Sequence, residues 1–190
     1  MKQTKSFALV LLLGLAATPL AAQQACEPDG SVGFVCGPVN AEDLVLVPGT
    51  DWIVSSGMAA GAGFYLIDAT SGDWTALAYG VRHDAAAFPR CPVPPAADEF
   101  ESHGLNIREA SGTRSTLYVV GHGAREAIEV FDVDAAGARP TLTWKGCVVL
   151  PDGLAANSVA SFADGSIVAT ILMLPGATFA DSVAMRPTGV

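Results

Sequence analysis

Four short stretches of this chain set proton-handling or metal-binding side chains beside small residues. They are Ala41-Glu42-Asp43, Ser102-His103-Gly104-Leu105, Val120-Gly121-His122-Gly123 and Ala156-Asn157-Ser158. A carboxylate pair and a primary amide are hard oxygen donors of the kind calcium takes. A neutral imidazole accepts or releases a proton near neutral pH. These residue types suit metal-assisted or general acid-base chemistry better than packing. No Gly-x-Ser-x-Gly and no phosphate loop occurs, so a serine hydrolase or nucleotide enzyme has no residues to rest on.

The elements that must position these residues are strands. The apolar segments are short, rich in Val, Ile, Leu and Trp, and separated by turn sequences such as PGTD, SGD, SGT, DAAG and ADG. No segment of the mature chain keeps a helical apolar period for three turns, so helix is expected to be scarce and a parallel sheet with crossover helices is disfavoured. Three segments repeat one pattern: AEDLVLVPGTDWIVSSGM, SHGLNIREASGTRSTLYVVGHG and ANSVASFADGSIVATILM. Each has a polar or small pair, an apolar run, a glycine turn and a second strand. After the first two, GFYLIDATSGDWTAL and AIEVFDVDAAGARPTLTWKGC add two more strands. Four strands per unit predict an all-β chain of four-stranded propeller blades, about three of them. Glu42 with Asp43, His103 with Gly104, and Asn157 with Ser158 then fall at equivalent blade starts, where the innermost strands of a propeller line one central channel. The Pro-rich stretch from Gly80 to Ser102 reads as a long connection across an end of the fold, tethered by Cys91.

In order and spacing, AEDLVLVPGTDWIVSSGM, HGLNIRE, LYVVGHG, IEVFDVD and ANSVASFADGSIVAT resemble the paraoxonase and arylesterase group of calcium-dependent six-bladed propellers, which includes gluconolactonases and the senescence marker protein. The resemblance runs from about Cys36 to about Thr170. It implies calcium as cofactor, a calcium-dependent lactonase or esterase activity, and a small lactone or ester as substrate. Carried over residue by residue, it makes Glu42 and Asn157 ligands of a catalytic calcium. Asp43 and the backbone carbonyl of Leu105 would face a second, structural calcium. His103 and His122 match the two histidines that activate the attacking water or relay its proton. Ser158 stands where the family often has Asp, which removes a carboxylate from the second site. With about three of six blades present, the chain reads as a truncated or fragmentary chain, or as half of a dimeric ring that self-associates to cover its open blade edges. The ligand count implies weak calcium binding and low activity for the isolated chain.

Composition narrows the setting. Lys and Arg total 10 against 19 Asp and Glu, a formal net charge of −9, which argues against nucleic acid and anionic membrane surfaces. Residues 1–22 have the lysines, short apolar run and small-residue end of a secretory signal, too short for a membrane span. The mature domain, residues 23–190, is thus expected in the periplasm or secreted. Export favours disulfides among the four cysteines, with Cys26 to Cys36 and Cys91 to Cys147 preferred of three pairings. Trp52, Trp74 and Trp144 read as blade packing, Glu99 and Glu101 as surface charge, and Asp68, Asp132 and Asp134 as turn residues. His83 reads as solvated in the long loop. The alternative to a lactonase is a non-catalytic exported propeller used as a binding or scaffolding module.

Overall fold

A computed structural model of the chain describes residues 26–91 and 93–186; the expected signal segment, residues 1–22, lies outside them. Of the described residues, those up to Cys36 and those from Gly37 onward form separate compact units. In the first, a bridge joins Asp29 to Val32, and Cys26 is bonded to Cys36 with the Cα atoms 5.9 Å apart.

The second unit is all-β apart from one short helix. Strands β1 (Leu44–Leu46), β2 (Trp52–Ser56), β3 (Phe64–Asp68) and β4 (Trp74–Ala76) form an antiparallel meander. Strands β5 (Tyr79–Val81), β6 (Glu101–Ser111), β7 (Arg114–His122), β8 (Ala127–Asp134) and β9 (Thr141–Val149) form a sheet in the order β5-β9-β8-β7-β6. Strands β10 (Ala155–Ser161) and β11 (Ile167–Met173) form an antiparallel hairpin, followed by helix α1 (Phe179–Val183). No sheet closes on itself among the described residues.

The middle sheet differs from the four-strand expectation. Its first strand lies in what the prolines mark as a loop, and it pairs parallel to β9. The reason is packing. The Tyr79 ring lies 5.2 Å from Phe131 and 6.4 Å from Phe64 in edge-to-face geometry, and three residues of backbone pairing suffice once that ring is anchored.

Burial follows the pleat. In β7 and β8, Leu117, Val119, Phe131 and Val133 point to one face, where they join Val54, Phe64, Leu66, Phe100 and Trp144 against the first meander. The intervening Tyr118, Val120, Ile128 and Val130 point to the other face and meet Ala156 and Val159 of β10. The middle sheet is therefore covered on both sides, and β7 and β8 read as nearly continuous apolar runs. In β11 burial alternates over its first residues, while in β10 the irregular register spaces the buried Ala156 and Val159 three residues apart. Each fully buried Leu, Val or Phe in these layers contributes about 1.5–3 kcal/mol.

Trp144 is fully buried, as the packing reading expects, while Trp52 and Trp74 are half-buried. The Trp52 ring carries the Arg139 guanidinium at 5.5 Å, and Trp74 meets Tyr65 edge-on. His83 is only partly exposed. Its ring stacks on Trp144 at 5.6 Å and its Nε2 lies 3.2 Å from the Phe88 carbonyl. Asp68 acts as a turn residue, accepting from the amides of Thr70 and Ser71. Asp132 instead pairs with Arg82 and Lys145.

Cys91 is bonded to Cys147 with Cα atoms 5.5 Å apart, which ties the long connection to β9. Closing a loop of 56 residues removes chain entropy worth about 4 kcal/mol in the unfolded state. Beside it lies Glu129, fully buried. Its carboxylate takes two hydrogen bonds from Arg125, at 2.7 and 3.0 Å, and a third from the Trp144 indole at 2.7 Å.

Candidate functional site

The site forms where β1, β6 and β10 begin. The Ser56 hydroxyl accepts the Asp43 amide at 2.9 Å, and the Ser56 amide donates to the Asp43 carbonyl at 2.9 Å, so the entry to β1 is tied to the end of β2. The Ser102 hydroxyl accepts the Gly57 amide at 2.8 Å and donates to the Gly63 carbonyl, which docks the start of β6 on the loop after β2. Both serines are fully buried and fully used.

His103 and Gly104 form neither a turn nor the first residues of a strand. Strand β6 begins at Glu101, and its register with β7 slips between Ser102 and Leu105, so that His103 and Gly104 together oppose Val120. This is a β-bulge, a device that re-aims a side chain without ending the strand. A second slip in β10 leaves Asn157 outside the pairing with β11. The two irregularities touch. A Cβ at residue 104 would lie 2.5 Å from the Asn157 carbonyl oxygen and 2.8 Å from the Ser158 Cα, so only glycine lets these backbones approach.

The bulge turns His103 into a line of four titratable groups. Its Nε2 lies 3.3 Å from Glu42 Oε2, and its Nδ1 lies 3.1 Å from His122 Nε2. His122 Nδ1 in turn lies 2.7 Å from Glu126 Oε2. The two imidazoles are buried and the two carboxylates are partly exposed, with side-chain exposures of 5% and 11% against 43% and 41%. A buried imidazole pair between two outward-facing carboxylates can pass a proton along a defined path.

Of the sequence-selected residues, Glu42, His103 and His122 are thus in direct succession. Asp43 is adjacent but differently engaged: Oδ2 accepts the Leu105 amide at 2.7 Å and Oδ1 accepts the Leu44 amide at 2.8 Å. Asn157 meets the site through its backbone, against Gly104, and the residue is exposed. Glu126 was missed by sequence reasoning. Its only signal was an acidic residue four positions after a histidine, across a Gly-Ala-Arg turn.

Glu42, Asp43 and the Asn157 amide are oxygen donors of the type calcium prefers, and Glu42 is open enough to receive a hydrated ion. Three such donors are fewer than the 6 to 8 oxygens calcium takes, so water or substrate would complete the shell. The remaining cluster of metal-binding residue types among the described residues, Cys91, Glu129 and Cys147, is not a metal centre. Its sulfurs are bonded to each other and its carboxylate is taken by Arg125 and Trp144.

Two disulfides point to an oxidising compartment. No helix of the described residues is long and apolar enough to cross a membrane. No family model matches this chain, and neither a curated protein nor a solved structure does.

Proposed function

We propose that this chain is an exported, calcium-dependent hydrolase of small lactones or esters, built as a partial β-propeller of the paraoxonase and gluconolactonase type and acting in the periplasm or outside the cell. The observation that carries the reading is the buried His103 and His122 pair, held between Glu42 and Glu126 where three strand units begin. The four-stranded meander, the β6 to β9 meander and the β10 hairpin serve as blades.

Calcium, bound by Glu42 and the Asn157 amide, would polarise the ester carbonyl as a Lewis acid. Asp43 and the Leu105 carbonyl are assigned to a second, structural ion, for which the Asp43 carboxylate keeps lone pairs beyond those facing the two amides. His103 Nε2 takes a proton from water, and the resulting hydroxide adds to the carbonyl carbon as the C=O π pair moves to oxygen. The Nδ1 proton of His103 can shift to His122 Nε2, which places the positive charge next to Glu126. When the tetrahedral adduct collapses, the bond from the carbonyl carbon to the leaving oxygen breaks, His103 Nε2 gives its proton to that oxygen, and the relayed proton returns from His122 Nε2 to His103 Nδ1, leaving both rings neutral.

The test is thermal unfolding with and without calcium, paired with hydrolysis of a γ-lactone and an aryl ester. Calcium should raise the Tm only slightly and support a low turnover, as the short ligand set implies; Glu42→Gln should abolish the Tm shift, and His103→Gln should lower that turnover by about 10²-fold or more. A chain that neither gains stability from calcium nor hydrolyses either substrate would be a non-catalytic binding or scaffolding module.

A further inference from the structure

We infer that Glu126 is the positioning residue that sets which nitrogen of each histidine carries its proton, and thereby leaves His103 Nε2 as the free base. This rests on the hydrolase reading for its consequence in turnover, but not for its structural content.

A carboxylate only accepts hydrogen bonds. The 2.7 Å contact to Glu126 Oε2 therefore requires a proton on His122 Nδ1, which leaves Nε2 of the neutral ring as an acceptor. That acceptor lies 3.1 Å from His103 Nδ1, which must then carry the proton of the second ring. His103 Nε2 is left with a lone pair, directed to the side where Glu42 lies.

Glu42 pulls the other way. A proton on His103 Nε2 would satisfy Glu42, turn His103 Nδ1 into an acceptor, and move the His122 proton to Nε2. Distance decides between the two arrangements. The Glu126 contact falls at the short end expected for a charge-assisted bond, whereas 3.3 Å to Glu42 lies beyond the usual range for an N–H···O bond. An exposed histidine and glutamate four residues apart would be a weak surface pair. Here the imidazole is buried, and its far nitrogen meets a second buried imidazole, so the choice made at Glu126 propagates along the line.

The turn that holds Glu126 is itself fastened. Gly123 has φ of +78°, and a Cβ there would collide with the Glu99 carbonyl oxygen. Arg125 is held by Glu129 on one side and by the Val93 carbonyl at 3.0 Å on the other. The Glu126 carbonyl accepts the Leu150 amide at 3.1 Å. The carboxylate is thus presented by a constrained loop, as in sites where a third group orients a catalytic imidazole.

The experiment is ¹⁵N NMR of histidine-labelled protein, above the ordinary histidine titration range, on wild type, Glu126→Gln and Glu42→Gln. Both histidines should carry the proton on Nδ1 in wild type and in Glu42→Gln, and on Nε2 in Glu126→Gln. In that variant kcat should fall by about ten- to a hundredfold with KM unchanged. Protonation at Nε2 in wild type, or no change in Glu126→Gln, overturns the inference. The wild-type spectrum decides by itself should the variant fail to fold. Wild-type protein with the expected spectra but no hydrolysis would sink the hydrolase reading and leave the role of Glu126 in ordering the protons standing.

Discussion

Replacing Gly104 by Ala tests how the site is assembled, because the consequence can be worked from two distances. The added methyl would sit 2.5 Å from the Asn157 carbonyl oxygen and 2.8 Å from the Ser158 Cα, both backbone atoms that no rotamer change can move. Gly104 does not have a positive φ, so the backbone conformation itself suits alanine and the whole penalty is steric. Strands β6 and β10 must separate by at least about half an ångström, a strain of the kind that costs roughly 1–3 kcal/mol. For a chain of this size, that lowers the Tm by roughly 3–10 °C. Separation also pulls on the 2.7 Å bond from the Leu105 amide to Asp43 and on the contact between His103 and Glu42, so under the proposed hydrolase function the calcium response and turnover should fall with stability. The control is Gly80→Ala in β5, where the nearest atoms would lie at 3.9 Å; its Tm should hold or rise slightly. Thermal unfolding by circular dichroism reads both. Equal melting temperatures for Gly104→Ala and the control would refute the close approach of β6 and β10.

Two further outcomes follow from the same structure. Glu129→Ala leaves the Arg125 guanidinium and the buried Trp144 indole N–H without their acceptor, and should cost about 3–5 kcal/mol in urea unfolding; a loss under about 1 kcal/mol would contradict the buried pairing. Asp164, in the β10–β11 turn, accepts the Ser166 hydroxyl and amide, which hold its carboxyl below the ordinary aspartate value. Because the folded value is the lower one, its contribution to stability is present above the unfolded value and is lost as pH falls through the folded value. Carboxyl ¹³C titration should show that depression, and Ser166→Ala should largely remove it.

Much of the scaffold was legible in the chain because its signals are local. The short apolar runs within Arg114–His122 and Ala127–Asp134, and the glycine and aspartate turns that bound them, are short-range signals, and apart from β5 the strands lie where these place them. Cys91 and Cys147 flank one strand unit, and the bond between them follows that bracketing.

The line of four groups at the site was only half legible. Glu42, His103 and His122 stand out by residue type and repeat phase, but type does not specify contact: Glu42 and His103 are brought together only by the docking of β1 on β6. A β-bulge leaves no periodic trace beyond a glycine, so the slips at His103-Gly104 and Asn157 were invisible until the registers of β6 and β10 were known. Strand β5 pairs with residues some sixty positions away, and His83 is covered by Trp144 from a strand as distant. Glu126 looks like any exposed acid in a turn; what distinguishes it is a buried imidazole 2.7 Å away. The sequence by itself indicated most of the strands and the turns between them, and favoured one of three cysteine pairings. Tertiary structure decided which side chains meet, because a distance between residues far apart in the chain is set by the packing of whole sheets and by no local preference of either residue.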